Sequence, residues 1–340
     1  MKNRILIVGH GLSGALLAQA FLKKNQMVDV CEANLPYHAS KVAAGLVNPL
    51  IGPKLNPPTD LDECLTEINN FTNYFQQICG VQFYEPIPLF RVFKTQKQSD
   101  LWKKRSITYP DLCVQQKILD QKEAAHHHIN APYGVGVTNC TRLHISSFLA
   151  YSEHLLKEAD HWITGLNAYE EKNYDKIIFC EGFRVMYNPW FSNIPIAPVR
   201  GEILGVDSSL DTSVSNGTWA IPIADNHFLA GSTWDHKVIE AGPSAEGKAQ
   251  ILKALDFISV DTKKVSKQFS GVRTGTLDRN PILGCHQENK KFYIFNGFGS
   301  RGSTTIPLYA KQMVEYVLNC TPLPTRVDMT RFNKLNHLAQ

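Results

Sequence analysis

The sequence contains no apolar stretch of about 20 residues, the length that a membrane-spanning helix needs, so no membrane span is expected. Its 8 cysteines are scattered and include no C-x-x-C pair, whereas structural zinc sites and disulfide frameworks usually show closer spacing. Reduced thiols in a cytoplasmic protein are therefore predicted. The net charge is only +4, so the charge alone does not indicate a nucleic-acid-binding protein.

One run of histidines, His126 to His128, resembles a metal site at first sight. Consecutive side chains point in different directions, and no carboxylate or cysteine pattern accompanies the run. The preferred interpretation is a solvent-exposed loop, and no metal site is predicted. The 340 residues, of which 43% are hydrophobic and 19% charged, have an ordinary globular composition and the length of about two domains.

A glycine-rich turn follows the first predicted strand. The apolar run Ile5 to Val8 is followed by Gly9, Gly11 and Gly14 at the spacing G-x-G-x-x-G, and a helical pattern starts at Ala15. Glycines at this spacing allow a sharp turn, close approach of the backbone to a pyrophosphate, and packing of the helix on the sheet. The helix N-terminus offers unpaired N–H groups and a partial positive charge to that pyrophosphate.

An acidic residue ends the second predicted strand. The run Val28 to Val30 reads as a strand, and Glu32 follows it, roughly 20 residues after the turn, where a carboxylate can accept hydrogen bonds from ribose hydroxyls. An acid rather than an arginine at this position favours FAD or NAD over NADP. The order strand, glycine turn, helix, strand and acid predicts a dinucleotide site.

A second glycine cluster lies in the C-terminal quarter. Phe292 to Phe295 reads as a strand, and Gly297, Gly299 and Gly302 precede a helix predicted from Thr304 to Leu318. The N–H groups of this turn could receive another anionic or carbonyl part of a cofactor.

The remaining pattern alternates between helical and strand-like segments. Helices are predicted at 61–77, 96–105, 144–158 and 247–258, and strands at 87–94, 176–179, 197–206, 219–223 and 227–231. The last two strands, joined by Asp225-Asn226, read as an antiparallel hairpin of a second sheet. The segment from His38 to Lys54, rich in small residues, is either a surface loop or a stretch of backbone that passes close to a planar ligand.

Taken in order, several segments resemble the D-amino-acid-oxidase-type FAD-dependent oxidoreductases, the group that contains glycine oxidase and sarcosine oxidase. The segments are VGHGLSG (8–14), KIIFCEG (176–182), APVRGEI (197–203), the turn Gly231-Ser232-Thr233, GVRTGTLDRNPILG (271–284) and NGFGSRGSTTIPL (296–308). The last segment also resembles the FAD domain of a bifunctional wobble-uridine tRNA-modification enzyme.

The resemblance implies an α/β fold, with a Rossmann-like FAD-binding domain and an inserted antiparallel-sheet α+β substrate domain. Residues 1–50, 135–198 and 265–340 are expected in the FAD-binding domain, and residues 51–134 and 199–264 in the substrate domain. The resemblance also implies the linkage of the cofactor, because sarcosine-oxidase-type enzymes attach flavin through a cysteine near the substrate arginine. No cysteine lies between Gly271 and Gly284, although Cys285 is close in sequence, so non-covalent FAD is expected.

The resemblance also implies which residues hold the cofactor: the first glycine turn, the acid, the small-residue segment, the glycine after the third strand and the second glycine cluster. These residues are Gly9, Gly11, Leu12, Ser13, Gly14, Glu32, Ala43, Ala44, Gly45, Gly182, Gly297, Phe298, Gly299, Ser300, Arg301 and Gly302. Arg301 could instead be structural, packing on the flavin edge or on the sheet.

Arg273 matches the family arginine that binds the substrate carboxylate, and it is the predicted catalytic residue. A guanidinium makes two parallel hydrogen bonds to a carboxylate and can fix the α-carbon over flavin N5. The alternative is a structural salt bridge. The active-site tyrosine that family members often carry on the second sheet has no evident match, and Trp219, His227, Trp234 and His236 are nearby candidates.

Three functions follow from these observations. The first is oxidation of the C–N bond of a small amino acid or secondary amine that carries a carboxylate, by hydride transfer to FAD. The second is FAD-dependent modification of the carboxymethylaminomethyl group of a tRNA wobble uridine, which ranks lower because the net charge is low and 340 residues leave no room for the usual fused methyltransferase domain. The third is a non-catalytic FAD-binding protein.

Overall fold

Two β-sheets organise the chain. The computed structural model describes residues 4–52, 54–114 and 117–332. The strands are β1 (Ile5–Val8), β2 (Val28–Glu32), β3 (Leu46–Val47), β4 (Tyr84–Val92), β5 (Val135–Leu143), β6 (Trp162–Thr164), β7 (Lys176–Phe179), β8 (Ile196–Val206), β9 (Ser213–Ser215), β10 (Trp219–Ala224), β11 (His227–Gly231), β12 (Val265–Thr276), β13 (Ile282–Cys285) and β14 (Phe292–Asn296).

Helices connect and cover these strands. The α-helices are α1 (Leu12–Lys23), α2 (Ala39–Val42), α3 (Leu61–Cys79), α4 (Gln96–Thr108), α5 (Gln121–Ala125), α6 (Ile145–Glu158), α7 (Ala245–Ala254) and α8 (Gly302–Asn319). Short 3₁₀ helices span Pro110–Leu112, Glu171–Asn173, Gly182–Tyr187 and Met329–Phe332.

The first sheet, sheet A, has six strands in the order β13-β14-β7-β1-β2-β6. All neighbours are parallel except β13 and β14. β1 is central, and its four residues pair with β2 on one side and with β7 on the other. The carboxyl ends of β1, β2 and β7 therefore meet at one edge of the sheet, where open α/β sheets bind their ligands.

Helices α1, α3, α6 and α8 contribute to one apolar core with sheet A. Phe21 of α1, Phe75 of α3, Phe148 of α6 and Met313 of α8 are fully buried there. Burial of such large side chains contributes about 1.5–3 kcal/mol each relative to exposure, so the amphipathic helices are held against the sheet mainly by these contacts.

The second sheet, sheet B, has eight strands in the order β12-β8-β11-β10-β9-β4-β5-β3. Its neighbours are antiparallel except β4 and β9, which are parallel. Because successive side chains point to opposite faces, one face can be apolar throughout. On that face Phe90, Leu204 and Phe228 pack with Ile251 of α7, and the other face remains for a binding site.

The predicted α/β fold class is confirmed, and so is the hairpin of β10 and β11. Several predicted ends of strands and helices were wrong. The strand predicted at 87–94 spans Tyr84–Val92, and the helix predicted at 247–258 spans Ala245–Ala254. The strands β5 and β12, which fall within the expected FAD-binding segments, pair in sheet B. The division of the chain into two domains stays a prediction.

No helix in the described part of the chain is long and apolar enough to cross a membrane. All 8 cysteines lie in described residues and are free thiols. The turn His126 to His128 follows α5, and its His127 ring lies 4.8 Å from the ring of Phe90. Across residues 4–52, 54–114 and 117–332, no three potential ligands are grouped as a metal site would require.

Candidate active site

A cavity of about 1770 Å³ lies between the two sheets. It is lined by the carboxyl ends of β1, β2 and β7 in sheet A and by the face of sheet B that is turned away from α7. Every predicted cofactor-binding residue except Gly14 lines this cavity, and so does Arg273. The structure thus brings together residues that are far apart in the sequence.

The first glycine turn fits tightly between β1 and β7. Gly9 has φ +99°, and a Cβ at this position would lie 2.7 Å from the carbonyl oxygen of Cys180. The Gly9 N–H donates to the Cys31 carbonyl at 2.8 Å, which fixes the turn to β2. A Cβ on Gly14 would lie 1.9 Å from the Gly9 carbonyl oxygen, so Gly14 lets α1 approach the turn and does not face the cavity.

Helix α1 starts at Leu12, earlier than the predicted start at Ala15. Its N-cap residue, Gly11, provides no side-chain cap, and the first turn has no acidic residue. The Leu12 N–H donates to Ser40 Oγ at 2.9 Å. Ser40 also lines the cavity and was missed from the sequence, although it lies within the small-residue segment. The helix N-terminus remains suited to an anionic group.

The carboxylate of Glu32 is buried and held by the backbone. Its Oε2 accepts from the His10 N–H and its Oε1 from the Asn34 N–H, both at 2.6 Å. Each carboxylate oxygen can accept more than one hydrogen bond, so both keep capacity for ribose hydroxyls. Burial lowers the pKa of the neighbouring His10 to about 4, so this histidine is neutral at pH 7.

The side-chain amide of Asn296 links the second glycine turn to Gly182, the glycine that follows β7. The Asn296 side chain donates from Nδ2 to the Gly182 carbonyl at 2.9 Å, and its Oδ1 accepts from the Gly297 N–H at 2.8 Å. Helix α8 then starts at Gly302 without a side-chain cap or an acidic first turn. Arg301 Nη2 donates to the Arg279 carbonyl at 2.7 Å, a contact that supports a structural role for this side chain.

These features fit an extended dinucleotide cofactor such as FAD. Two helix N-termini without an acidic first turn, of α1 and α8, border one cavity, and Ser40 accepts only the first N–H of α1. A fixed carboxylate borders the cavity at β2. A side chain at Gly9 would collide with the Cys180 carbonyl, so only glycine allows this tight turn at the cavity edge. The three elements offer donors for anionic groups and acceptors for hydroxyls, which are the groups that a dinucleotide presents.

Arg273 lies on β12 with its guanidinium beside the cavity. Its Nη1 donates to the Thr233 carbonyl at 3.3 Å and its Nη2 to Ser232 Oγ, and the guanidinium carbon lies 4.5 Å from the centre of the Trp234 ring. It forms no ion pair with any described carboxylate, so the alternative of a structural salt bridge finds no partner there. Burial lowers its pKa to about 10, and the group is still a cation at neutral pH.

Three of the four candidates on the second sheet line the cavity: Trp219, Trp234 and His236. The fourth, His227, instead places Nδ1 2.6 Å from Asp207 Oδ1. Sequence reasoning missed Glu181, which also lines the cavity and lies just after β7 in the segment KIIFCEG. Burial raises the pKa of Glu181, and Asn188 donates to its Oε2 at 2.8 Å.

Parts of the chain are similar in sequence to known proteins. A segment of 153 residues is 28% identical to the tRNA 5-methylaminomethyl-2-thiouridine biosynthesis bifunctional protein of Idiomarina loihiensis and covers 41% of this chain and 25% of that protein. A segment of 155 residues is 25% identical to the glycine oxidase of Geobacillus kaustophilus and covers 44% of this chain and 40% of the relative. The matches thus span less than half the length of either relative.

The crystal structure of glycine oxidase from Geobacillus kaustophilus superposes with a TM-score of 0.75 at 18% identity, covering 94% of this chain and 95% of that one. This likeness shows that the fold is shared. The family model described as FAD dependent oxidoreductase matches residues 4–316, which include both glycine turns, the acid at the end of β2 and Arg273. The chain therefore belongs to the D-amino-acid-oxidase family of FAD-dependent oxidoreductases.

Proposed function

We propose that the protein oxidises the C–N bond of a small amino acid or secondary amine that carries a carboxylate. Glycine oxidase is among the similar proteins, and the cavity combines features that suit an extended cofactor with an arginine that suits a small acid. We assign the cofactor-binding residues named from the sequence to FAD, with Ser40 added. We also assign sheet A to the FAD-binding domain and sheet B to the substrate domain.

The observation that carries the proposal is the unpaired guanidinium of Arg273. A partly desolvated charge without an anionic partner is costly, and this half-buried one has only a carbonyl, a hydroxyl and an aromatic ring around it. A substrate carboxylate would supply the missing anion through two parallel hydrogen bonds. The cation would thus bind the substrate and fix its orientation in the cavity.

The protein residues orient the amine and exclude water, while FAD, when bound, supplies the acceptor for the hydride that leaves the α-carbon. Loss of that hydride turns the neutral amine into an iminium ion, which water hydrolyses to a carbonyl compound and a protonated amine. Arg273 would hold the α-carboxylate in place during this loss, and Trp219 and Trp234 would give the substrate an apolar surround. The α8 N-terminus would favour negative charge on the cofactor's side of the cavity.

We further propose that FAD is held without a covalent bond. Two cysteines line the cavity, Cys31 and Cys180, and burial raises the pKa of both, which disfavours the reactive thiolate. Cys285 lies on β13 and its Sγ contacts backbone carbonyls instead. The eight free thiols also support the expected cytoplasmic location.

An anaerobic substrate screen tests the proposal. The purified protein, loaded with FAD, is mixed with glycine, sarcosine, proline and D-amino acids, and the loss of oxidised flavin absorbance is followed. Bleaching by at least one of these is expected. Retention of bound flavin with no bleaching by any amino acid would contradict amino-acid oxidation. Acid denaturation should release the flavin into the supernatant, and flavin that stays with the precipitate would contradict non-covalent binding.

A second candidate is oxidation of the carboxymethylaminomethyl group of a tRNA wobble uridine. It is favoured by the match to the tRNA-modification relative and by exposed Lys97, Lys103 and Lys104 on α4, next to Lys94 at the cavity rim. Basic surfaces bind the phosphate backbone. In the same anaerobic assay, bleaching by tRNA carrying that group, with no bleaching by amino acids, would select this function.

A further inference from the structure

The cavity continues well beyond Arg273, across one face of sheet B. Directly paired residues form a row through five strands: Arg91 on β4, Ser215 on β9, Trp219 on β10, Gly231 on β11 and Ile203 on β8. Paired side chains in one row point to the same face of a sheet. All but Gly231 line the cavity.

Two cations border the far end of this face. Arg91 lies half-buried in the cavity wall, and Lys94 stands exposed at the rim. The Lys94 Nζ lies against the β9–β10 turn, where a Cβ on Gly217 would be 3.8 Å away. We call Arg91, Lys94, Ser215, Asn216 and Gly217 the distal pocket; all five line the cavity.

Neither cation has an anionic partner in the described part of the chain. Arg91 donates to the carbonyls of Leu50 at 3.4 Å and of Gly52 at 3.1 Å, so it also holds the loop at that edge of the cavity. Hydrogen bonds to carbonyls leave the positive charge uncompensated. Lys94 forms no ion pair with a described carboxylate.

The acidic residues of the cavity lie elsewhere. Glu32 ends β2, Glu181 follows β7, and Glu171 lies in the 3₁₀ helix between β6 and β7. Asp278, after β12, is bound by Arg331 Nε at 2.7 Å. The distal pocket therefore carries two positive charges and no carboxylate. An anionic group on a ligand would complement these charges.

The distance between the two cationic positions sets the size of the ligand. Five strand spacings separate β12, which carries Arg273, from β4, which carries Arg91. At about 4.8 Å each, they amount to roughly 24 Å across a flat sheet. Arg273 also lies four residues, or roughly 13 Å, along β12 from Phe269, which pairs with Ile203 at the end of the row. The two long side chains shorten the gap. Glycine or sarcosine held at Arg273 could not span such a gap.

We propose that the distal pocket binds a second acidic group of the substrate, so that the enzyme prefers an elongated amino acid or N-substituted glycine with a terminal carboxylate or phosphate. This inference rests on the proposed function, because it takes Arg273 as the site of the first carboxylate. Lys94 and Arg91 would act as specificity-determining residues.

Binding of straight-chain dicarboxylates to the FAD-loaded protein tests the inference separately from oxidation, because these compounds carry no amine. Calorimetric titrations would use diacids with two to sixteen methylene groups, of which the longest reach roughly 20 Å when extended, and the corresponding monoamides. At the best length, the diacid is expected to bind at least tenfold more tightly than its monoamide. Equal binding at every length would overturn the proposal.

Variants locate the effect. Lys94→Met and Arg91→Met should each lower the ratio of diacid to monoamide affinity severalfold. Lys253→Met, an exposed position on α7 at the other face of sheet B, should leave the ratio unchanged. Because Arg91→Met could loosen the loop at Leu50, Arg91→Lys keeps the charge and should keep most of the preference. A ratio unaffected by Lys94→Met and Arg91→Met would overturn the assignment to the distal pocket.

A second experiment measures oxidation of N-(ω-carboxyalkyl)glycines and of their ω-amides in the anaerobic flavin assay. A higher kcat/KM for the acids is expected. Diacid preference without bleaching by any amine would refute the proposed function and leave the distal anion site standing. Bleaching by sarcosine with no diacid preference would refute the distal anion site and leave the proposed function standing.

Discussion

The guanidinium of Arg273 occupies the space beside Gly201 on the neighbouring strand β8. A Cβ on Gly201 would lie 2.3 Å from Arg273 Nη2 and 2.6 Å from its Cζ. Gly201 pairs with Gly271, two residues before Arg273 on β12. The absence of a side chain at position 201 is therefore what allows the arginine to lie flat against the sheet.

Replacing Gly201 with alanine should displace the guanidinium while leaving the strand intact, because the clash is with the end of a flexible side chain. We expect KM for a carboxylate substrate to rise about tenfold, equivalent to about 1.4 kcal/mol. The measurement is steady-state kinetics, with FAD content as a check on folding. In the double variant Gly201→Ala with Arg273→Met, the free-energy effects of the two changes on KM should sum to less than their separate values. Full additivity would show that Gly201 does not act through Arg273.

Replacing Arg273 itself tests its role directly. Arg273→Met should raise KM for a carboxylate substrate about ten- to a hundredfold, since hydrogen bonds to charged groups contribute about 1.5–3 kcal/mol. Arg273→Lys should raise it less, because a lysine keeps the charge but not the two parallel hydrogen bonds. Bound FAD should be retained in both. Arg105→Met, the same change outside the cavity, is the control, and an unchanged KM in Arg273→Met would refute the substrate role.

The sequence predicted what local patterns encode. The two glycine turns and Glu32 were recognisable because each follows directly from a strand, and the backbone geometry at such a turn depends on few neighbours. Ser40 was not recognised, because its contact with the Leu12 N–H depends on how the segment after β2 folds back over α1.

Features that depend on long-range pairing were beyond sequence reasoning. Arg91 and Arg273 share one face of sheet B only because β4 and β12 join the sheet through four intervening strands. Likewise, no local pattern indicated that β5, which lies in an expected FAD-binding segment, pairs with β3 and β4 in sheet B. Register and strand order of this kind are set by tertiary packing.

The buried His10 should make stability depend on pH. Its side chain is 6% exposed, Nε2 lies 3.1 Å from Ser152 Oγ, and burial lowers its pKa to about 4 against the opposing charges of Glu32 and Glu153. Because the folded-state pKa is below the unfolded value of 6.5, the unfolded chain binds the proton first as the pH falls. Stability is therefore full above pH 6.5 and is lost progressively towards pH 4.

Between pH 7.5 and pH 5 this histidine should cost about 2 kcal/mol of unfolding free energy. Urea denaturation of the FAD-saturated protein at both pH values measures the loss. In His10→Gln, whose side chain does not titrate, the loss should be smaller by that amount. Parallel pH dependence in the two proteins would mean that His10 is not buried in its neutral form.

Gly14 should be essential for packing even though it does not face the cavity. A Cβ there would lie 1.9 Å from the Gly9 carbonyl oxygen and 3.4 Å from Cys180 Cβ, so Gly14→Ala must push α1 away from the turn. Since the clash is with backbone, little relaxation is available, and we expect a loss of at least about 3 kcal/mol, in the range of severe core changes. Gly242→Ala is the matched control, because a Cβ at Gly242 meets nothing within 4 Å and should change stability by less than about 0.5 kcal/mol. The midpoints of urea denaturation compare the stability of the two variants, and their FAD content shows whether each keeps the cofactor. If Gly14→Ala were as stable as Gly242→Ala and kept its flavin, the close approach of α1 to the turn would not be required for the fold or for the cofactor site.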